Sequence, residues 1–196
     1  HFMANPAAID FGADETTIGK PGTFATCGES RNTYGGDVPL NDFMGPVLWS
    51  SDLSVYAKED PIGLGSHLDM LHHTPLCMGI AHDVENKYWV VGGLSKSIGY
   101  YDFKLDHKVG QDDHSDGDYR EYVTGEIGYV EGIPSHIFYD KKSSTLYIAD
   151  TGNSRVGRLD TSSATEGAAL PMKEKIDSAI KMEGATVVDI VTAKSK

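Results

Sequence analysis

Residues 134–160 constrain this chain more than any other stretch, because they read as three short strands separated by two polar turns. Residues 137–139 are β-rich, 140–144 form a turn of Asp, Lys and Ser, and 146–149 are apolar. A second turn at 150–154 leads into an alternating strand at 155–159. Gly152 and Asn153 suit a turn that requires positive φ.

The unit recurs upstream. Residues 78–102 overlay it with one gap: Ile80 falls on Ile137, Asp83 on Asp140, Trp89 on Tyr147, Ile98 on Val156, Gly99 on Gly157 and Asp102 on Asp160. A third copy opens the chain, where residues 6–12 match the start of the unit and 24–31 match 148–155, with about four extra residues between. Turn residues recur in register along with the apolar ones. That favours an all-β propeller of repeated blades over a plain antiparallel sandwich.

The 134–160 unit resembles an NHL repeat, whose usual form is Pro-x-Gly-Ile-Ala-x-Asp, a strand, then Ala-Asp-Thr-Gly-Asn-x-Arg-Ile. The likeness is strongest there, weaker over 75–102 and weakest over 6–31. Segments 43–49, 65–72, 78–82 and 112–117 are similar to a group of secreted, NHL-like bacterial proteins. This resemblance implies the propeller fold and supplies no activity.

A four-stranded blade takes about 40–50 residues and rings hold about four to eight blades. The 196 residues therefore predict one domain, 1–196, forming a partial ring of about three to four NHL-like blades. Residues 171–182 read as a short amphipathic helix or an irregular crossing, and 185–192 as a strand opening a further blade. With His1 in place of an initiator Met, the chain reads as processed, truncated or partial, completed by further copies or subunits.

A net charge of −12 argues against a nucleic-acid surface, which needs clustered Lys and Arg. The longest basic run is Lys141 with Lys142. No apolar stretch approaches the length of a membrane span. Acidity with abundant Gly, Asp, Ser and Tyr fits a secreted, extracellular or periplasmic β protein. Cys27 and Cys77 lie in neighbouring units; a disulfide and two buried thiols both fit.

Candidate chemistry lies in two inserts, 63–77 and 104–120. Seven of the eight histidines fall between 67 and 136. His67, Asp69, His72 and His73 share one segment, and imidazole with carboxylate suits zinc, copper or iron. A polar loop with backbone-bonded histidines is the plainer reading.

The cluster from Asp106 to Asp118 contains Asp112, His114, Asp116 and Asp118 at alternate positions around Gly117. That pattern starts like a calcium loop, although His114 replaces an oxygen ligand and Val123 stands where a closing Glu belongs, with Glu121 nearby. A solvated acidic turn is the alternative. A third arrangement joins the inserts, with His67 or His72 meeting His107 or His114.

His136 precedes the innermost strand of its unit, where a side chain can face a propeller's channel. Peptidyl-hydroxyglycine lyases, which have a similar propeller, carry zinc-binding histidines in Pro-His segments at comparable positions. Only His136 matches, since Gly79 and Ala8 occupy the equivalent positions here. A His that bonds a neighbouring blade is the expected role. Asp150 and Arg155 belong to the repeat, the Asp closing a turn and the Arg packing or pairing between blades.

No nucleophile elbow, phosphate loop or His-Glu-x-x-His is present, and no organic cofactor is expected. The leading expectation is a binding or scaffold module for a protein or glycan partner, with a structural calcium or transition-metal ion. Trp49, Tyr56, Tyr88, Trp89, Tyr100 and Tyr101 are candidates for its surface. The alternative is a metal-dependent lyase, hydrolase or oxidoreductase centred on His67, His72, His107 and His114.

Overall fold

The computed structural model describes residues 5–12, 22–32, 41–56, 63–105 and 107–192. Asp106 of the second cluster and the extra residues at 13–21 lie outside that set. The described residues form strands and no α-helix, and none of their helices could cross a membrane. The strands are β1 (Pro6–Phe11), β2 (Thr23–Gly28), β3 (Val47–Ser50) and β4 (Asp69–Met70). Next come β5 (Cys77–His82), β6 (Lys87–Gly92), β7 (Ser97–Asp102), β8 (Asp118–Tyr122) and β9 (Ile137–Asp140). The last are β10 (Thr145–Asp150), β11 (Arg155–Asp160), β12 (Thr165–Ala169), β13 (Ser178–Glu183) and β14 (Val187–Thr192).

Three sheets result. β1 to β4 form the first in chain order, β9, β10, β11 and β14 form the third, and β5 to β8 form the second with β13 and β12 added beyond β8. None closes on itself. The three repeat copies supply β1, β5 and β9 as their first strands, and β5 lies against both of the others.

Burial follows the two-residue period of strands. On β6, Tyr88 and Val90 join the core shared with the first sheet, beside Leu48, Leu71 and Phe103. Trp89 and Val91 join the core shared with the third, beside Leu146, Ile148 and Leu159. The second sheet is thus covered on both faces, which explains its nearly continuous apolar strands. Cys27 of β2 and Cys77 of β5 are joined by a disulfide across the first two sheets.

Several expectations change. Of the two readings of 171–182, the irregular crossing holds over 171–177 and the helix does not form; Ser178–Glu183 is a strand, because the free edge of β8 satisfies its backbone in a parallel ladder while Ala179 enters the core. β14 does not open a further unit but pairs with β11, Val191 opposite Val156 and Val188 opposite Arg158. Of the six aromatic residues expected at a binding surface, Trp49, Tyr88, Trp89 and Tyr101 are buried in the cores.

The turn after β10 also differs. Ser154, with φ +52°, takes the left-handed conformation expected of Gly152 or Asn153. Gly152 is required for close approach, since a Cβ there would sit 2.5 Å from the Gly128 carbonyl carbon. Asp150, wholly buried, accepts from Gly128 N at 2.8 Å, from Asn153 Nδ2 at 2.8 Å and from Arg155 Nε at 2.8 Å. Arg155 reaches on to Asp189 of β14 and the Glu126 carbonyl. The pair therefore fastens the third sheet to the exit of the second, a structural role.

Candidate metal centre

Local folding brings three distant segments together. The chain after β4 runs beside residues 42–46, with Leu71 N donating to the Pro46 carbonyl at 3.3 Å and Thr74 N to that of Met44 at 3.1 Å. The second insert is tied to the first by Gly110 N on the His67 carbonyl, 2.8 Å. Asp177 N donates to the Gly117 carbonyl at 2.9 Å, which lays residues 171–177 across the same region. Glu174 is delivered by that crossing.

His72, His114 and Glu174 each present a ligand-capable atom within 4.8 Å of the others. Glu174 takes two hydrogen bonds from one residue: His72 N donates to Oε1 at 2.6 Å and His72 Nδ1 to Oε2 at 2.7 Å. Since the carboxylate only accepts, the His72 proton lies on Nδ1 and Nε2 carries a lone pair. That Nε2 is buried and has no hydrogen-bond partner among the described residues.

Burial depresses the His72 pKa, and Glu174 only partly opposes this. Burial also resists ionisation of Glu174, but the hydrogen bonds and charge of His72, with His114, hold its pKa below the ordinary value. A neutral imidazole beside an ionised carboxylate is the form that binds a cation. Phe43 stacks on the His72 ring at 3.8 Å and 10° and fixes its plane.

Asp69, His107 and Asp116 form a second group, again within 4.8 Å. Asp69 links the two, because its Oδ1 accepts from His114 Nδ1 at 2.8 Å and from Met70 N at 2.7 Å. Burial pushes the Asp69 pKa up to about 9. His107 Nε2 lies 2.6 Å from Asp116 Oδ1. Burial works against a charge on His107, yet Asp116, Asp69 and Asp113 outweigh it and raise its pKa. Asp116 Oδ2 accepts from Leu105 N at 3.2 Å.

A cavity of about 500 Å³ opens beside the first group, lined by Asn32, Phe43, Leu64, Met70, His72, Asp112, Asp113, His114, Ser115, Glu174 and Lys175. Phe43, Leu64 and Met70 thus share one cavity with two imidazoles and a carboxylate.

The other expected ligands go elsewhere. His67 is wholly buried and sets its ring nitrogens against the carbonyls of Leu64 and Gln111, at 3.1 and 2.8 Å, bridging the inserts. Asp118 begins β8 and pairs with Lys104 at 2.6 Å and with Ser178. Asp112 is exposed at the cavity rim. Asp112, His114, Asp116 and Asp118 therefore do not converge as a calcium loop, because the last of them is held in the sheet. His136 is exposed and joins neither group; its carbonyl accepts from Ala149 N at 2.8 Å. Of the joined-insert options, the pairing that forms is His72 with His114, ring centres 5.4 Å apart.

Glu174 was not legible in the sequence. It stands between Lys173 and Lys175 in a stretch without strand alternation or a motif, and only the tertiary crossing gives it a role.

No family model matches the chain, NHL-repeat models among them, and no curated protein matches it. Among solved structures, an auxiliary nutrient binding protein from Bacteroides ovatus is similar at 14% identity and a TM-score of 0.42. The match covers 79% of this chain and 28% of that one, so the chain spans about a quarter of that protein's length.

Proposed function

We propose that this chain is a propeller-type, NHL-like binding module of an extracellular or periplasmic compartment, working through a divalent transition-metal ion held by His72, His114 and Glu174. The observation that carries this reading is His72 Nε2, a buried lone pair without a partner, beside two further donors at a cavity. Two imidazoles and one carboxylate suit zinc, iron or copper rather than calcium. The disulfide supports an oxidising compartment. The propeller reading is supported by the consecutive antiparallel runs β1 to β4, β5 to β8 and β9 to β11, with β5 lying against both β1 and β9.

Three protein ligands leave a coordination position for something else. A cavity of about 500 Å³ lies in the size range of small-molecule sites. A small ligand with an oxygen or nitrogen donor and an apolar body is therefore favoured over a protein or glycan surface. The same open position supports the second reading, a metal-dependent hydrolase, lyase or oxidoreductase, since an ion held by His72, His114 and Glu174 would supply Lewis-acid activation of water.

The test is cobalt or zinc titration of chelator-treated protein, followed by elemental analysis. One tightly bound equivalent that is lost in His72→Ala and weakened in Glu174→Gln is expected. Binding unaffected by both substitutions, or no binding above that of a control protein, would overturn the reading. Metal-dependent hydrolysis of an activated ester, abolished by chelation, would select the catalytic version.

A further inference from the structure

We propose that Asp69, His107 and Asp116 form a second divalent-cation site, so that two cations sit side by side on either side of the Asp69–His114 contact. The second site stands on its own residues; the pair rests also on the site proposed above.

The argument begins with Asp69. Its side chain is wholly buried, 0% exposed, and Oδ1 is committed to Met70 N and His114 Nδ1. Oδ2 is buried and has no hydrogen-bond partner among the described residues. A buried carboxylate oxygen left unpaired is costly, so it must be matched by a proton or by a bound cation. The positive group whose charge acts most on Asp69 is the imidazole of His107.

His107 and Asp116 complete a set of one nitrogen and two carboxylates within 4.8 Å. A cation with bonds of about 2.1 Å spans donors up to about 4.2 Å apart, so small side-chain movements close the group. Without a cation, the short His107–Asp116 contact, 2.6 Å, is held by a proton shared between two of the same donors.

Chemistry separates the two sites. The first has two imidazoles and one carboxylate; the second is richer in oxygen and suits a harder cation such as manganese. It would also pin the second insert to β4, because Asp69 belongs to that strand while His107 and Asp116 lie in the insert.

The full chain, freed of metal, is loaded with Mn²⁺ or with Zn²⁺, desalted and assayed for bound metal. Two equivalents are expected in the wild type, falling to one in His107→Gln and in Asp116→Asn, with far-ultraviolet circular dichroism checking the fold. Manganese loading should give a spin-coupled electron paramagnetic resonance spectrum that turns into that of isolated ions in either variant. A single equivalent lost in His107→Gln but kept in His72→Ala would sustain this site and sink the first. A single equivalent kept in His107→Gln and Asp116→Asn would overturn this site and leave the first standing. Two equivalents that ignore both substitutions would overturn it as well.

Discussion

His72 and Glu174, 102 residues apart, are joined twice: the backbone N–H and the Nδ1–H of the histidine occupy both oxygens of one buried carboxylate, at 2.6 and 2.7 Å. This contact anchors the crossing between β12 and β13 to the insert after β4. It also sets the imidazole tautomer, which leaves Nε2 free to accept a cation.

Glu174→Ala strands both His72 donors in a buried site, and leaving a buried donor unsatisfied costs about 1–3 kcal/mol for each group. Glu174→Gln keeps a carbonyl acceptor but turns an amide donor toward the second His72 donor, so it should fall between. Urea denaturation of metal-free protein should rank wild type above Glu174→Gln above Glu174→Ala. An alanine variant as stable as the wild type would show that the contact orients without stabilising.

Gly45 shapes the same site without touching a cation. A Cβ there would lie 1.9 Å from the Leu71 carbonyl oxygen and 3.3 Å from His72 Cα. Gly45→Ala must push the two segments apart and carry His72 from Glu174, since backbone offers no flexible end to yield. A misplaced ligand should weaken metal binding by about tenfold or more, which corresponds to about 1.4 kcal/mol, although all six proposed donors remain. Calorimetric titration of this variant with Zn²⁺ is the check, and an unchanged affinity would count against the placement.

What the sequence disclosed depended on whether the signal was local. The 134–160 unit reads strand by strand: 137–139, 146–149 and 155–159 become β9, β10 and β11 within a residue or two of each end, because alternation and turn residues act over a few positions. His72 and His114 stand out as histidines in inserts. Their carboxylate partner does not, since Glu174 is defined by a contact across more than a hundred residues. The spacing of Asp112, His114, Asp116 and Asp118 likewise does not show that β8 takes Asp118 into its own ladder and its ion pair with Lys104. Between the helix and the irregular crossing that 171–182 left open, the open edge on β8 decides by drawing Ser178–Glu183 into a strand, and a single-segment reading does not contain that edge.

The Cys27–Cys77 disulfide spans a separation of 50 residues. In the chain-entropy account, closing a loop of that length destabilises the unfolded state by about 4 kcal/mol. Reduction, or the Cys27→Ser, Cys77→Ser double variant, should lower Tm by roughly 10 °C for a domain of this size. Thermal melts with and without dithiothreitol provide the measurement. A double variant whose Tm matches the oxidised wild type would mean that packing between β2 and β5 suffices alone.

His73 makes the metal-free protein sensitive to acid. It is buried against Tyr119, ring centres 4.8 Å apart, and burial lowers its pKa from 6.5 to about 4 despite the opposing charge of Glu174. A folded pKa below the unfolded one means that protons prefer the unfolded chain. The contribution of His73 is therefore intact above pH 6.5 and is lost as pH falls through about 4. That interval corresponds to roughly 3 kcal/mol. His72, His82 and His114 are depressed in the same direction, whereas Asp69, raised to about 9, gains protons on folding and acts oppositely. A difference measurement removes these shared contributions. His73→Phe keeps a flat ring on Tyr119 and cannot be protonated, so its stability should fall less than that of the wild type between pH 6.5 and 4. Urea midpoints taken across that range decide the matter, and parallel curves for the two proteins would assign the acid sensitivity to the other groups.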